Sequence, residues 1–452
     1  MTLSVLALSI SATATVSAPV YASQAVVSQV VETQSNADFN TLIQYALAND
    51  SSRKQIAAQS NALRAQGVAS ATLMDPKIKL GFGGLPVDSF EFDVDPMTNV
   101  SIGLMQQFER GSTLELQQRK ANQQADGMSL QAQLREREIV NSVTQLWLEL
   151  GYQQQAERVI EENLSLLNEL MTFTQTNYSI GTSETQDLLN AQLKVSQLED
   201  KRQANAQQQR RIHSQLSEWL GSEWLMDTRE LKAQNNLDWS ILTHKLSSVS
   251  NTQYYPLLQQ HPMIQIADAN IAASETQVSI AEQAYTPQFG VEVMYANRQA
   301  NNMMGEPASD LLSAYITMDI PLFTGNKQDK NHEAAQFQVG AAKSNKDLLL
   351  AQMNAQVNAL LVDKTNLEQR VERYATTLIP QVNARTQAVE RGYQNNTSQF
   401  SDVINATRDQ LAVTLEQQRL ITDLNLVQSN LATLLGAFSY LTPTPADTQA
   451  NN

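Results

Sequence analysis

The side chains that most often perform catalysis or bind metals are sparse in this sequence. It contains no cysteine, which removes thiolate nucleophiles, disulfides and cysteine metal sites. No phosphate-binding GxxxxGKS/T loop and no GxSxG nucleophile motif occurs. The four histidines are far apart and lack the HxxxH spacing of a helical metal site: His213, His244, His261 and His332. We therefore expect no catalytic residues, no metal site and no cofactor, in a protein that is not an enzyme.

Two features of the sequence could still concern ions. Met303 and Met304 offer adjacent thioethers, which soft cations such as Cu(I) or Ag(I) prefer, although methionines in a polar loop are more often incidental. The net charge is −15, which disfavours nucleic acid as a partner because phosphate neutralisation needs basic residues. An acidic chain gains solubility or lines a path for cations, and both interpretations fit the composition.

The elements that must position the polar residues occur in two copies. Tyr178–Gly221 aligns without a gap on Tyr393–Gly436, 215 residues later, and 11 of the 44 paired residues are identical. Upstream of each copy, the hydrophobic periodicity predicts one helix, two short strands and a very long helix. One repeat is therefore helix, strand, strand, long helix, turn and long helix.

The long helices are predicted to pack as coiled coils. From Leu114 to about Tyr178 there is no proline, so a helix there would be roughly 95 Å long at 1.5 Å per residue. Apolar residues recur at spacings of three and four, as at Val140, Val143 and Leu150, and most other positions are polar. Such a helix needs neighbouring helices along its apolar stripe.

The repeated turns are predicted to reverse the chain between two long helices. Gly181 can adopt a positive φ without steric cost, and Asn396 takes its place in the second copy. Thr182 or Ser183 is expected to cap the following helix, with Gln186 three residues after Ser183 as in a capping box.

Four segments alternate between apolar and polar residues, which predicts strands with one apolar face: 77–82, 99–106, 288–295 and 313–320. This pattern fits either a soluble half-buried sheet or membrane strands. Four strands cannot close a barrel, and open edges cannot lie in lipid, so membrane strands would require three chains and twelve strands. The predicted lipid-facing residues are Ile78, Leu80, Phe82, Val100, Ile102, Leu104, Phe289, Val291, Val293, Ile316, Met318 and Ile320.

The chain is predicted to have five parts. An apolar stretch followed by small residues is typical of a secretory signal, and "VYA" ending at Ala22 fits a cleavage site. The boundaries are a signal peptide at 1–22, a first structural repeat at 37–221, a linker at 222–255, a second repeat at 256–436 and a flexible tail at 437–452.

This plan resembles the TolC family of trimeric outer-membrane channels over about residues 37–438. The resemblance implies a mainly helical protomer with an internal repeat, a long coiled-coil α-barrel and four strands, which make a twelve-stranded membrane β-barrel in the homotrimer. It implies a passive exit duct in a tripartite efflux system, with outer-membrane lipid around the strands and the helices in the periplasm. The implied partners are a periplasmic adaptor and a proton-driven inner-membrane pump. The adaptor-contacting tips would be the repeated turns: Gly181, Thr182, Ser183, Asn396 and Thr397.

The resemblance also places a periplasmic gate at these tips. The family's gate acid falls on Asp187, next to Gln186, and the tyrosine that pairs with this acid falls on Tyr393. The acid that rings the constriction falls on Asp402, where three copies would attract cations. Asp187 and Asp402 also fit the simpler role of solvated acids in the first turns of helices.

Two gate positions differ from the family pattern. Ser398 stands where the family's best-known gate has an arginine, and Asn405 stands where it has a second ring acid. The resemblance therefore implies a gate without a salt-bridge lock, which is looser or held by the Asp187–Tyr393 pair alone.

The first strand pair resembles the heavy-metal branch of the family through Asp75-Pro76, Leu85-Pro86 and Pro96-Met97-Thr98, and "PLFTGNK" from Pro321 resembles a turn of its second repeat. Heavy-metal cations are thus one expected cargo, although Gly84 replaces the asparagine of that branch. The alternatives from other classes are a periplasmic adaptor or a coiled-coil scaffold without a membrane barrel. Neither alternative explains the tandem repeat.

Overall fold

The computed structural model describes residues 39–181, 184–221, 224, 231–249, 253–395 and 397–438. The predicted signal peptide and most of the predicted tail lie outside these ranges. Most of the described chain is helical: α1 (39–49), α2 (Ser51–Ser70), α3 (Thr113–Ser179), α4 (Thr185–Leu220), α5 (Ser240–Ser247), α6 (Tyr255–Leu258), α7 (Pro262–Gln283), α8 (Gln328–Arg373), α9 (Ile379–Gln394) and α10 (Phe400–Leu435). Within these ranges, no helix combines the length and apolar character needed to cross a membrane.

Four strands form one antiparallel sheet in the order β1-β2-β3-β4: β1 (Lys77–Gly83), β2 (Asn99–Gln107), β3 (Gln288–Asn297) and β4 (Leu311–Asp319). The register aligns the apolar positions across strands, because Leu80 lies opposite Ile102 and Val291 lies opposite Ile316. β2 and β3, which come from different repeats, are direct neighbours. The predicted strands are thus confirmed to within three residues at each end.

The chain contacts define two units. The first unit comprises the described parts of 39–49, Val143–Leu237 and Arg373–Thr422. In this unit α3, α4 and α10 pack through apolar residues at helical spacings, as the periodicity predicts. The buried cluster consists of Ile160, Leu164, Leu167, Ala191, Val195, Leu198, Phe400, Ile404 and Leu411.

The second unit contains the sheet and the helices that flank it, in the described parts of Asp50–Ser142, Asp238–Glu372 and 423–438. The indole Nε1 of Trp239 donates a hydrogen bond to Asn425 Oδ1 at 2.8 Å, which satisfies both buried groups. The Trp239 ring lies 6.1 Å from the ring of Phe438. These contacts attach the end of α10 to the segment that contains α5.

The helix ends agree in part with the sequence analysis. Gly181 and Gly436 have φ values of +79° and +63°, so both occupy the left-handed region that glycine tolerates. α4 begins at Thr185 with Glu184 as its N-cap, and the Glu184 side chain makes no capping hydrogen bond. The predicted cap at Thr182 or Ser183 is therefore wrong in position. Thr182, Ser183 and Asn396 themselves lie outside the described residues.

Two features of the helical segments were not predicted. The expected irregular linker at 222–255 contains the regular helix α5, on which Leu242 is buried. The second long helical stretch is interrupted by a five-residue π-helical turn, Tyr374–Leu378, directly before Pro380. Proline lacks an amide hydrogen, and the turn absorbs this break, because the amide of Ile379 donates to the carbonyl of Tyr374, five residues earlier.

Candidate functional site

The turn between α3 and α4 holds the predicted gate acid Asp187 in the first turn of α4. Its carboxylate is partly buried, and burial together with the nearby charge of Glu184 raises the pKa of Asp187. The Asp187 amide donates to the carbonyl of Glu184 at 3.1 Å, which tightens the start of the helix. The neighbouring Gln186 is exposed.

The turn between α9 and α10 is closed by its own polar groups. The amides of Thr397 and Ser398 both donate to the carbonyl oxygen of Gly392, at 2.7 and 3.1 Å. Asp402 Oδ2 accepts a hydrogen bond from the amide of Gln399 at 3.2 Å. Asp402 is the third residue of α10, and its side chain reaches back to the amide that precedes the helix, as the acidic residue of a capping box does. Asn405, one turn later, is exposed.

Tyr393 lies in an aromatic cluster that links three helices of the first unit. Its ring meets the ring of Phe173 on α3 edge to face, with 5.7 Å between centroids, and lies 5.9 Å from the ring of Phe400 on α10. Across the described residues, no hydrogen bond joins Tyr393 to Asp187. The structure therefore does not show the pair expected from the resemblance, because ring contacts rather than a carboxylate hold Tyr393.

One face of the sheet is apolar and exposed. Leu80 and Ile316 expose 76% and 79% of their surface, far more than a soluble sheet leaves open on its packed face. Every residue predicted to face lipid is exposed here: Ile78, Leu80, Phe82, Val100, Ile102, Leu104, Phe289, Val291, Val293, Ile316, Met318 and Ile320.

The opposite face of the sheet is polar and mostly small. Lys79 Nζ lies 2.6 Å from Glu292 Oε2, and Arg110 forms an ion pair with Asp319. Gly290 leaves room for Thr317, because a Cβ at position 290 would fall 2.6 Å from Thr317 Oγ1. This face thus combines paired charges with a close contact between Gly290 and Thr317.

Both edges of the sheet are open. Within the described residues, β1 pairs only with β2 and β4 pairs only with β3. Each edge strand therefore presents a row of backbone donors and acceptors that no described strand satisfies.

The sequence analysis missed a group of basic residues between the helices of the first unit. Lys194 and Lys201 lie seven residues apart on α4, so both project from the same side of the helix, and Arg408 faces them from α10. The heptad spacing of the two lysines was a visible signal. Their meeting with Arg408 depends on the packing of α4 against α10.

Sequence and structure comparisons agree with this architecture. Residues 254–437 match the family model described as outer membrane efflux protein. The matched segment is similar to that family and covers 184 of the 452 residues. No curated protein is similar enough in sequence to match the chain.

Solved outer-membrane channel structures share the fold over most of this chain. The outer membrane protein VceC from Vibrio cholerae aligns with a TM-score of 0.71 at 15% identity, over 89% of this chain and 96% of VceC. CusC, described for its folding and transmembrane channel formation, aligns with a TM-score of 0.71 at 16% identity, over 88% of this chain and 92% of CusC. The outer-membrane channel OprN aligns with a TM-score of 0.73 at 15% identity, over 88% of this chain and 90% of OprN. The predicted TolC-like fold is confirmed.

No group of three or more His, Cys, Asp or Glu side chains that could hold a metal ion occurs among the described residues. Met303 and Met304 are almost fully exposed in the loop between β3 and β4.

Proposed function

We propose that three copies of the chain form one outer-membrane channel, in which each copy contributes four strands to a twelve-stranded barrel. The observation that supports this proposal is the sheet, which has an exposed apolar face, a polar opposite face and two open edges. Lipid chains can contact the apolar face favourably, but they cannot form hydrogen bonds with the unpaired backbone groups of β1 and β4. Pairing β4 of one copy with β1 of the next satisfies them and leaves the Lys79–Glu292 face toward a lumen.

We further propose that the channel is a passive exit duct of a tripartite efflux system, with its helical part in the periplasm. The repeat supports this arrangement, because it gives each protomer two matched turns at the ends of long helices. A periplasmic adaptor would contact these turns, and a proton-driven inner-membrane pump would supply cargo. The proposed adaptor-contacting residues are Gly181, Thr182, Ser183, Asn396 and Thr397.

We propose that the same turns contain the periplasmic gate. The contribution of Tyr393 is its ring, which fastens α9 to α3 and α10, while Asp187 and Asp402 provide negative charge near the tips. In a trimer, Asp402 would form a three-fold acidic ring that favours cations. The remaining proposed gate residues are Gln186, Ser398 and Asn405.

We propose heavy-metal cations as the cargo class. The support is the segment around the first strand pair, in which Asp75-Pro76, Leu85-Pro86 and Pro96-Met97-Thr98 resemble the heavy-metal branch. Deleting the gene in a strain that lacks related channels should lower tolerance to a heavy metal. Unchanged tolerance with lost resistance to organic compounds would assign a different cargo to the same channel.

The assembly is tested by separating inner from outer membranes and measuring the mass of the detergent-purified protein by light scattering. The proposal requires a trimer that originates from the outer-membrane fraction. A monomer or dimer in the soluble periplasmic fraction would mean that the four strands form an ordinary sheet.

A further inference from the structure

The two open edges of the sheet carry complementary charges. Lys77, the first residue of β1, is exposed, and among the described residues no carboxylate pairs with it. Asp319, the last residue of β4, binds Arg110 through Oδ2, and its side chain remains 63% exposed. Both residues lie on the polar face of the sheet, at the strand ends nearest the helices. Each edge thus ends in a charge of the sign that the other edge lacks.

The pairing of β4 in one copy with β1 in the next can take few registers. A shift by an odd number of residues would bring the apolar face of one strand beside the polar face of the other. Of the remaining registers, two pair all seven residues of β1 with residues of β4. One places Lys77 opposite Asp319, and the other places it opposite Thr317.

The geometry of a closed barrel distinguishes these two registers. Within one copy, the strand pairs align one row of residues across the sheet: Lys77, Met105, Glu292 and Tyr315. If Asp319 lies opposite Lys77 of the next copy, Tyr315 lies opposite Gly81, so the row advances by about four residues per copy and about twelve around three copies. At about 3.4 Å per residue and about 4.8 Å between strands, this stagger tilts twelve strands by about 35°.

The second register gives a smaller tilt. With Lys77 opposite Thr317, the row advances by about two residues per copy, and the strands tilt by only about 20°. Strands of membrane barrels tilt by about 35–45°. Barrel closure therefore favours the register in which Asp319 is opposite Lys77.

The same register matches the side chains on both faces. Tyr315 lies opposite Gly81, where a side chain would meet only Ser101 Oγ at 4.0 Å, so the ring has open space to cover the glycine. On the apolar face, the register pairs three residues of β1 with three of β4: Ile78 with Met318, Leu80 with Ile316, and Phe82 with Ala314. Such apolar cross-strand pairs stabilise a sheet.

We infer that β4 of one copy pairs with β1 of the next in this register, and that Asp319 and Lys77 form an ion pair between the two copies. The inference rests on the proposed trimeric barrel and adds its register and the residues that determine it. Because Asp319 already binds Arg110, each junction carries three linked charges. An exposed ion pair adds little stability, so its main effect is to disfavour the register that leaves Lys77 opposite Thr317.

Disulfide formation tests the register, and the chain has no cysteine of its own to interfere. Gly81→Cys is combined in turn with Tyr315→Cys, Ser313→Cys or Thr317→Cys in the full-length channel, and outer membranes are oxidised with copper phenanthroline. Residues directly opposite each other lie about 4.5–5.5 Å apart between Cα atoms, within reach of a disulfide, whereas diagonal neighbours lie about 7–8 Å apart. Non-reducing gels measure the rate at which covalent dimers and trimers form.

The inference requires the Gly81–Tyr315 pair to crosslink at least about tenfold faster than the other two pairs. Faster crosslinking with Ser313 or Thr317 would overturn the register and leave the trimeric barrel standing. No crosslink from any pair would also overturn the inference. In that case, recovery of a trimer would leave the proposed assembly standing, and recovery of a monomer would count against both.

A double-mutant cycle tests the ion pair separately. Lys77→Met and Asp319→Asn should each speed dissociation of the trimer in detergent by at least about threefold, and the double variant should dissociate no faster than Asp319→Asn alone. The cycle is needed because Asp319→Asn also weakens the pair with Arg110. Lys79→Met is the control, since Lys79 pairs with Glu292 in its own copy and its effect should add to that of Asp319→Asn. Additive effects of Lys77→Met and Asp319→Asn would overturn the ion pair.

Discussion

The ammonium group of Lys245 lies 2.8 Å from the carbonyl oxygen of Gly436, at the C-terminal end of α10. It also donates to the carbonyl of Leu435 at 3.0 Å, and Arg137 Nη1 donates to the carbonyl of Thr433 at 3.3 Å. Two basic groups thus satisfy carbonyls that a helix end leaves unpaired, and they complement the negative end of the helix dipole. Burial lowers the pKa of Arg137, and burial together with Arg137 lowers the pKa of Lys245.

Replacing Lys245 by methionine should destabilise the protein by about 1–2 kcal/mol, because the side-chain volume is kept while two charge-assisted hydrogen bonds are lost. Urea-induced unfolding followed by circular dichroism measures the effect. Lys343→Met is the control, because Lys343 pairs with Glu275 on the surface and its loss should cost at most about 0.5 kcal/mol. Equal effects of the two variants would contradict a special role for Lys245.

Acidification should destabilise the second unit through His261. Burial and the nearby charge of Arg137 lower the pKa of His261 from 6.5 to about 4, so the folded protein binds this proton less readily than the unfolded chain. The contribution of His261 to the free energy of unfolding is therefore fully present above about pH 6.5. It falls by roughly 3 kcal/mol in total as the pH drops through 4. Unfolding measured at pH 7 and pH 4 tests the direction.

The control for this pH effect keeps the structural hydrogen bond of His261. Its Nδ1 accepts from the amide of Met263 at 3.2 Å as the N-cap of α7, and asparagine is also a good N-cap that does not titrate. His261→Asn should lose part of the destabilisation between pH 6.5 and 4, whereas the exposed His244→Asn should retain it. The same pH response in both variants would assign the acid effect to other groups.

Charge on the apolar face of the sheet should block membrane assembly. Ile316→Arg places a cation where lipid is proposed, at a cost of about 2–4 kcal/mol if the site is near the bilayer midplane. The matched variant is Tyr315→Arg on the opposite face of β4, which should assemble nearly normally. The measurement is the amount of trimer recovered from the outer-membrane fraction. Equal loss in both variants would mean that β4 has no lipid-facing side.

The aromatic cluster at the tips should restrain the gate. Tyr393→Ala removes both ring contacts, each worth about 0.5–1.5 kcal/mol, and should raise the conductance of the channel in a planar bilayer. Tyr393→Phe keeps the rings and should conduct like the original protein. Tyr178→Ala, at the corresponding position of the first repeat, is the control. If Tyr393→Phe opens the channel as much as Tyr393→Ala, the hydroxyl pairs with Asp187 in the assembled protein, as the resemblance predicts.

Features encoded in local sequence were predicted well. α3 spans Thr113–Ser179, within a residue of the interval predicted from the absence of proline. The strands follow from their alternation, because a period of two is incompatible with a helix. The turn at Gly181 was predictable because glycine adopts a positive φ without steric cost, and this property does not depend on tertiary packing.

Features that depend on packing were not predicted. The ring of Tyr393 contacts Phe173, which lies more than 200 residues away in the sequence, so no local pattern predicts this contact. α4 begins after Glu184, whose side chain makes no capping hydrogen bond, so a search for good capping side chains did not find its start. Lys194 and Arg408 likewise come together only when α4 and α10 are side by side.

The open edges of the sheet impose an order on biogenesis. Before assembly, a single copy exposes two unpaired strand edges and an apolar face. Both features favour cross-β aggregation. We therefore expect newly made chains to need a holding chaperone that shields β1 and β4 until insertion. In the proposed trimer, closure takes three copies, so a low concentration of the chain lengthens this interval, and the yield of functional channels should fall more steeply than the supply of the chain.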